Sequence, residues 1–219
     1  MPKRKQEQMS EQLPRSEDAL TPMFTVASED VSALLRRRRQ PDNATDQRAL
    51  VRSVFAFVES MLFAMKQQIL IALVEAPHGF TIAEFALLRD ESYEVAENGE
   101  ARVKTAKITL KSNLKFTFAS WAKALGTKSK LDLSDEGWQN FQAALKVRDR
   151  LMHPKRASDL DVTEEEIKSA TAAYFWFYTA YSLALIQVVK TTMQHRKKTG
   201  KRDGFPPVKQ EDKHISPSS

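Results

Sequence analysis

The segment DEGWQNFQAALKVRDRLMHP, residues 135–154, sets the helical architecture of this chain. Its large apolar side chains recur every three to four residues, which is the period of one helix face, and the predicted core positions are Trp138, Phe141, Leu145 and Met152. Ser134 is a suitable helix cap, since the acidic residues behind it favour the positive end of a helix. Pro154 ends the helix, because the residue before a proline disfavours helical geometry.

A longer helix is predicted upstream, over residues 45–75. Thr45 can cap it, and Pro77 with Gly79 ends it. Its apolar residues follow helical spacing and comprise Leu50, Val54, Phe57, Val58, Met61, Leu62, Met65, Ile69 and Leu73. At 1.5 Å per residue this helix would be roughly 45 Å long, which suits the central helix of a bundle.

The remaining segments predict three more helices and one hairpin. Asn98-Gly99 is a turn signal between two short alternating stretches, so we expect a small β-hairpin there. Thr163 and Glu166 form a capping box in front of the last helix. The predicted helices cover Thr81–Arg89, Thr105–Leu125 and Glu164 to about Gln194.

These elements predict an all-α fold, an up-and-down bundle of four or five helices with a small β-hairpin insert and flexible tails. The helical domain covers residues 45–194. Residues 1–44 lack lasting apolar periodicity, so we expect a mostly disordered tail with at most a short helix over Ser28–Arg38. Residues 195–219 are expected to form a disordered, basic tail.

The chain has 219 residues, a net charge of +6 and no cysteine. The lack of cysteine excludes a disulfide framework, a thiol nucleophile and a Cys–zinc site. We expect a cytoplasmic protein, since the N-terminus has no apolar stretch of the signal-peptide type. Residues 45–189 hold 18 basic and 18 acidic side chains, whereas residues 190–219 hold 8 and 3. The excess positive charge therefore lies in the C-terminal tail, which either contacts phosphates non-specifically or is simply solvated.

The last predicted helix contains an uncharged stretch, Ser169–Val189, that is long enough to cross a bilayer. Its hydroxyl groups and centrally placed tyrosines argue against a membrane span, because tyrosine favours the interfacial belt. The aromatic run Tyr174–Tyr178 points to every side of the helix. We therefore expect a core helix that also contacts a second subunit. A membrane span and a surface-associated helix are the less favoured interpretations.

The end of the 135–154 helix carries groups that can do chemistry. Asp149 and His153 are four residues apart and share a helix face, so the carboxylate could accept a hydrogen bond from the imidazole. Arg150 lies on the side of His153, and Arg148 lies about 140° away around the axis. Either guanidinium can bind a phosphate through two hydrogen bonds. Alone, such a histidine could simply offset the negative helix end, worth ~0.3–1 kcal/mol.

The segment Val147–Pro154 closely resembles the motif of the HEPN superfamily, in which four to six residues separate an Arg from a His and the first of them is Asn, Asp or His. Here Asp149 follows Arg148 directly and the gap is four. Phe55–Phe63 also resembles the first helix of that family, and the resemblance extends over roughly residues 45–190. It implies a metal-independent endoribonuclease, or a relic of one that only binds RNA.

The resemblance gives each motif residue an expected role. His153 would act as general acid–base, Arg148 would stabilise the phosphate and Asp149 would orient the imidazole, with Arg150 in support. Cleavage of RNA by its own 2′-hydroxyl needs an acid or base near neutral pH and a positive charge, but no metal or cofactor. Because the motif has one histidine, we expect a homodimer, formed through the last helix and the motif face, that joins two copies.

Glu59 is the second supporting candidate. Arg52, Glu59 and Lys66 recur at intervals of seven and form one polar line on an otherwise apolar helix. A charge on such a helix requires a partner or water. Either Glu59 holds Arg148 or Arg150 across the bundle, or the line is only the solvent face.

Several alternatives stay open at this point. By family analogy the protein would be a toxin or a defence factor, with an antitoxin or defence protein as its partner. The same fold could instead serve as an inactive RNA-binding, nucleotide-binding or protein-interaction module, or the chain could be a helical structural or membrane-associated protein. The acidic residues Asp159, Asp161 and Glu164–Glu166 fit helix starts better than a metal site. Glycine-rich phosphate loops and serine elbows are absent from the sequence.

Overall fold

The computed structural model of the chain describes residues 16–37, 43–75, 79–128 and 131–199. These ranges form six α-helices, a two-stranded antiparallel sheet and a 3-10 helix at Ala157–Leu160. The mostly helical character predicted from the sequence and the β-hairpin are confirmed. In chain order the elements are α1 (Ser16–Arg37), α2 (Ala44–Glu75), α3 (Ile82–Leu88), β1 (Glu91–Val95), β2 (Ala101–Thr105), α4 (Leu110–Ala124), α5 (Glu136–Met152) and α6 (Glu164–Thr199).

The chain divides into two compact units. Among the described residues, the first unit runs up to Met65 and from 131 to Ile186, and the second takes residues 66–128 and those from Gln187 onward. The first unit contains α1, α5, most of α2 and most of α6. The second contains α3, the hairpin, α4 and the ends of α2 and α6.

The core of the first unit is built around Phe57 of α2, which is fully buried. Its ring lies edge-on to Tyr174 and Phe177 of α6, with centroid distances of 5.2 and 6.0 Å. Phe24 of α1 meets Phe57 edge-on at 5.8 Å and stacks on Tyr181 at 5.9 Å. Helices α1, α2 and α6 therefore share one aromatic cluster. Each such pair adds about 0.5–1.5 kcal/mol to the stabilisation from burial.

Helix α1 corrects the prediction that residues 1–44 are mostly disordered. It spans Ser16–Arg37 and contains Pro22, and the predicted short helix at Ser28–Arg38 was only its second half. The polar composition of residues 1–44 outweighed a helical period in the prediction, since Phe24, Ala27, Val31 and Leu34 recur every three to four residues. Phe24 joins the aromatic cluster and Val31 is fully buried.

Parts of both predicted tails lie outside the described residues, namely 1–15, 38–42 and 200–219. At the C-terminal end α6 continues to Thr199, beyond its predicted end near Gln194. The predicted disordered tail from residue 195 is therefore corrected over its first five residues, which are helical.

Two helix caps differ from the predicted ones. Asn43, and not Thr45, caps α2, since its Oδ1 accepts from the backbone N–H groups of Thr45 and Asp46 at 3.1 and 3.3 Å. Asp135, and not Ser134, caps α5 and accepts from a backbone N–H at 2.8 Å. Each correction moves the cap by one or two residues, because several neighbouring side chains can perform the same role.

The start of α6, the start of α4 and the end of α5 can also be compared with their predictions. The predicted capping box of α6 is confirmed, with hydrogen bonds of 3.0 and 3.3 Å between Thr163 and Glu166. Helix α4 begins later than predicted, because Thr105 is paired in β2. Met152 was predicted to face the core and is 49% exposed, whereas Leu151 is buried in its place.

The second unit is organised by ion pairs. Lys66 of α2 is fully buried and its Nζ lies 2.5 Å from Oδ1 of Asp90. Asp90 has a φ of 55°, and its carbonyl accepts from the Ala106 N–H at 2.7 Å, which closes the open end of the hairpin. Lys123 of α4 binds the carboxylate of Glu84 in α3 at 2.6 Å. A buried ammonium group needs such a partner, so Asp90 fixes the start of the hairpin to α2.

Two helical segments are long and apolar enough to cross a bilayer by length and composition, Ala44–Leu73 and Glu164–Thr191. The core helices of soluble proteins often share this length and composition. The apolar window of the first segment is 56% buried, whereas that of the second is 28% buried. The exposed large apolar residues of α6 are Phe175, Tyr178, Leu183, Leu185, Ile186, Val189 and Met193.

We predict that Gly137→Ala destabilises the protein. A Cβ at Gly137 would lie 2.1 Å from Cδ1 of Trp176, and the Trp176 ring is held by its Nε1 hydrogen bond to Asp135 at 3.1 Å. On an open helix this substitution would stabilise by about 0.5–1 kcal/mol, but overpacking should cost ~1–3 kcal/mol. Urea unfolding measures the difference.

The control is the same substitution in a Trp176→Ala background, where the added methyl group has space. There it should be neutral or stabilising. A stabilising effect of Gly137→Ala in the original chain would contradict the close approach of α5 and α6.

Candidate functional site

The predicted motif occupies the C-terminal end of α5. Leu151 is buried and anchors the last turn, and His153 follows as the C-cap. The backbone N–H of His153 donates to the carbonyl of Asp149 at 3.1 Å, while its φ of −132° and ψ of 55° leave the helix. The His153 side chain is exposed. An imidazole is thus presented to solvent on a backbone that the helix end holds in place.

Arg148 is held by two carboxylates. Its Nη2 lies 2.7 Å from Oε1 of Glu59 on α2, and its Nη1 lies 3.1 Å from Oδ1 of Asp149. The Arg148 side chain is 26% exposed, compared with 46% for Glu59 and 58% for Asp149. Glu59 therefore holds Arg148, one of the two arginines that the sequence offered for it, and about a quarter of the arginine side chain stays exposed.

The Arg150 side chain binds α6 and not the other residues of the motif. Its Nη2 donates to both carboxylate oxygens of Glu166, at 2.9 and 2.8 Å, and to the carbonyl of Asp161 at 2.9 Å. Arg150 and Glu166 line a groove of about 400 Å³ between α5 and α6, together with Ala143, Lys146, Val147, Glu165 and Ser169. This groove carries two cations and two carboxylates, so it has no net excess of either charge.

Arg52 is a residue of this region that the sequence did not single out as part of the site. Its Nη2 donates to the carbonyl of Leu151 at 3.1 Å, two residues before His153. Arg52, Glu59 and Lys66, which recur at intervals of seven on α2, each bind another part of the chain. Their partners are Leu151, Arg148 and Asp90, respectively. The regular spacing of these charged residues on an apolar helix indicated that they need partners, but it did not identify the partners.

The loop after the motif is shaped by Asp159. Its Oδ2 accepts from the backbone N–H groups of Lys155 at 2.8 Å and Arg156 at 3.0 Å. The hydrogen bond from Lys155, supported by that from Arg156 and by nearby positive charge, lowers the pKa of Asp159. Since its N–H groups bind this carboxylate, the loop that follows Pro154 has a defined path.

The predicted site residues belong to two separate clusters of ion pairs. Arg148, Asp149 and Glu59 form one cluster, and Arg150 belongs to another. Within the described residues no hydrogen bond joins the His153 imidazole to Asp149, whose carboxylate contacts Arg148 instead. The role of Asp149 as an orienter of the histidine therefore stays a prediction.

Metal coordination has no support in the described part of the chain, where no group of three or more His, Asp or Glu side chains is arranged around a common point. Comparison with protein-family models, curated proteins and solved structures gave no match. The resemblance to the HEPN superfamily consequently rests on Val147–Pro154 and Phe55–Phe63 themselves.

We predict that Glu59 and Arg148 are energetically coupled. In a double-mutant cycle of Glu59→Gln and Arg148→Met, urea unfolding should give a coupling free energy of ~0.2–1 kcal/mol, the range for partly exposed ion pairs. The matched control pairs Glu59→Gln with Arg150→Met, because Arg150 binds Glu166 instead. Additive effects for Glu59 and Arg148, or equal coupling in the control, would contradict the attachment.

Proposed function

We propose that this protein is a metal-independent endoribonuclease of the HEPN type, and that it acts as a homodimer. The single observation that carries the proposal is the presence of an anchored guanidinium, Arg148, and an exposed imidazole, His153, in the last turn and the C-cap of one helix. The proposal agrees with the resemblance of Val147–Pro154 to the family motif. RNA is the proposed substrate, and a role as a toxin or defence factor follows only by analogy with the family.

The proposed reaction uses the substrate's own 2′-hydroxyl as nucleophile. A base removes the 2′ proton, O2′ attacks the adjacent phosphorus, and the 5′-oxygen leaves with a proton from an acid. The products are a 2′,3′-cyclic phosphate and a 5′-hydroxyl. His153 can take or give the proton, since imidazole is the side chain that most often serves as a general acid or base, and Arg148 can stabilise the charge that develops on the phosphate oxygens.

The carboxylates around Arg148 have separate parts in this proposal. Glu59 is on another helix and positions the guanidinium from one side. Asp149 is more exposed and bonds at a longer distance, 3.1 Å compared with 2.7 Å. A phosphate that approaches Arg148 would displace the Asp149 carboxylate, because a bidentate arginine–phosphate contact uses the same N–H groups. Asp149 would then be free to accept from the His153 imidazole.

A second copy of the chain supplies the second proton-transfer group. The exposed face of α6 supports a dimer, because Phe175, Tyr178, Leu185, Ile186, Val189 and Met193 fall within one stripe. The stripe extends over about 27 Å of helix at 1.5 Å per residue. An exposed apolar strip of this length marks an interaction surface, and the absence of charge from Ser169 to Val189 removes like-charge repulsion between two copies.

One observation favours the second candidate, a binding module of the same fold without cleavage. The positive charge of Arg148 is offset by both Glu59 and Asp149, and in the described chain the imidazole of His153 has no hydrogen-bonded orienting group. Such a protein would bind RNA or a nucleotide at the same helix end and release it intact.

We predict that the purified full chain cleaves single-stranded RNA in excess EDTA and leaves 2′,3′-cyclic phosphate ends. His153→Ala should lower the rate by about 10²–10⁴, the usual contribution of general acid–base catalysis. The matched control is His214→Ala, which removes an imidazole outside the motif. Gel electrophoresis measures the cleavage rate of each variant, and end-group mapping identifies the product ends.

Binding without cleavage would favour the second candidate and contradict the nuclease. Cleavage that survives His153→Ala would remove that residue from the reaction. Activity that requires Mg²⁺ would contradict the metal-independent mechanism.

We predict that Phe175→Glu combined with Ile186→Glu makes the protein monomeric and inactive, because carboxylates cannot be buried in an apolar interface without partners. Sedimentation velocity measures the mass and the RNA assay measures the activity. Val95→Glu, which changes an apolar residue on β1 that is 74% exposed, should leave both unchanged. Full activity in a demonstrated monomer would contradict a site shared between two copies.

A further inference from the structure

The β-hairpin exposes an apolar face and an open backbone edge. Tyr93, Val95 and Val103 are 55%, 74% and 60% exposed, and Ala101 is exposed beside them. In the pairing register Tyr93 lies opposite Val103 and Val95 opposite Ala101, so all four share one face of the sheet. A two-stranded hairpin is marginal in water on its own, and this face is unusually apolar for a solvated surface.

The hydrogen bonds of the ladder show which edge is open. Ala106 donates to the Asp90 carbonyl at 2.7 Å, and Ala96 donates to the Glu100 carbonyl at 2.9 Å. Because hydrogen-bonded and non-bonded pairs alternate in an antiparallel ladder, the even-numbered residues of β2 bond to β1. The N–H and C=O groups of Ala101, Val103 and Thr105 therefore point away from β1.

The two strands differ in how they are covered. β1 contacts α3, and three of its five residues are partly buried. All five residues of β2 are exposed, and the described chain adds no third strand to the sheet. The free edge for a further strand is therefore that of β2.

The charges on β2 determine which strand can pair with its free edge. The polar face of β2 carries Arg102 and Lys104, whose side chains are 58% and 60% exposed. Their acidic partners, Glu100 and Glu94, lie on the β1 side or in the turn. An added strand would meet the two cations from the other side, where opposite charges on neighbouring strands stabilise and like charges destabilise.

These charges argue against a second copy of β2 as the occupant. In antiparallel pairing about a two-fold axis, every register that keeps the apolar faces together and pairs at least three residues of β2 places a cation opposite a cation. Centring on Val103, for example, sets Arg102 against Lys104 of the other copy. A β1 strand of another copy carries Glu94, but it is partly covered by α3.

We propose that the edge of β2 binds an extended segment of another protein, one that alternates apolar and acidic residues. Apolar side chains opposite Ala101, Val103 and Thr105 would extend the exposed apolar face, and acidic side chains opposite Arg102 and Lys104 would neutralise the cations. Main-chain hydrogen bonds supply affinity in this mode of strand addition, and the alternating side chains supply specificity. The surface is independent of the motif and of the proposed nuclease activity.

The test uses the full chain and a fluorescein-labelled peptide with a Val-Glu-Val-Glu-Val core flanked by Gly and Ser. Fluorescence anisotropy should show saturable binding. The matched peptide with Lys in place of Glu should bind at least about tenfold more weakly, since two attractive charge pairs become repulsive.

Two variants test the mode of binding. Val103→Pro removes only an N–H that faces the open edge, where proline is tolerated in a strand, so the acidic peptide should no longer bind while circular dichroism and the melting temperature change little. Arg102→Glu with Lys104→Glu should reverse the preference toward the Lys peptide.

Four results would overturn the proposal: no binding of the acidic peptide, equal binding of both peptides, binding that survives both Val103→Pro and the charge reversal, or self-association that Val103→Pro abolishes. The last result would identify a second copy of this chain as the occupant.

Discussion

The attachment of the last turn of α5 to α2 is the constraint on which the candidate site depends. Glu59 binds Arg148 at 2.7 Å, and Arg52 binds the Leu151 carbonyl at 3.1 Å. An unattached arginine would lose about 2 kcal/mol of side-chain entropy when it binds a ligand, so prior anchoring reduces that cost. The same two contacts define the backbone from which His153 projects, and they explain why an exposed residue can have a reproducible position.

The elements with strong local signals were predictable from the sequence. The apolar period of α2 and α5, the Thr163–Glu166 capping box and the Asn98-Gly99 turn each depend on residues close in the chain, and the structure contains all of them. Helix α1 was missed although its apolar residues follow helical spacing, because the polar composition of residues 1–44 is typical of a disordered tail. Its attachment to the core depends on Phe24, whose aromatic partners lie on α2 and α6 and are distant in the sequence.

The sequence singled out the residues of the candidate site but not the contacts between them. The motif spacing identified Arg148 and His153, and the seven-residue line identified Glu59, but 89 residues separate Glu59 from the arginine that it holds. Local helix geometry predicted a contact between Asp149 and His153. The structure has Asp149 on Arg148, because a neighbouring guanidinium is a stronger partner for a carboxylate than a neutral imidazole.

The central claim is that Arg148 and His153 act on one RNA phosphate. The most direct measurement is a crystal structure of the full chain with an oligoribonucleotide that carries 2′-deoxy substitution at the cleavage position, which binds without reacting. The account predicts a phosphate within hydrogen-bond distance of the Arg148 guanidinium and of a His153 imidazole, with Glu59 still on Arg148. A phosphate bound elsewhere, with Arg148 still enclosed by Glu59 and Asp149, would contradict it.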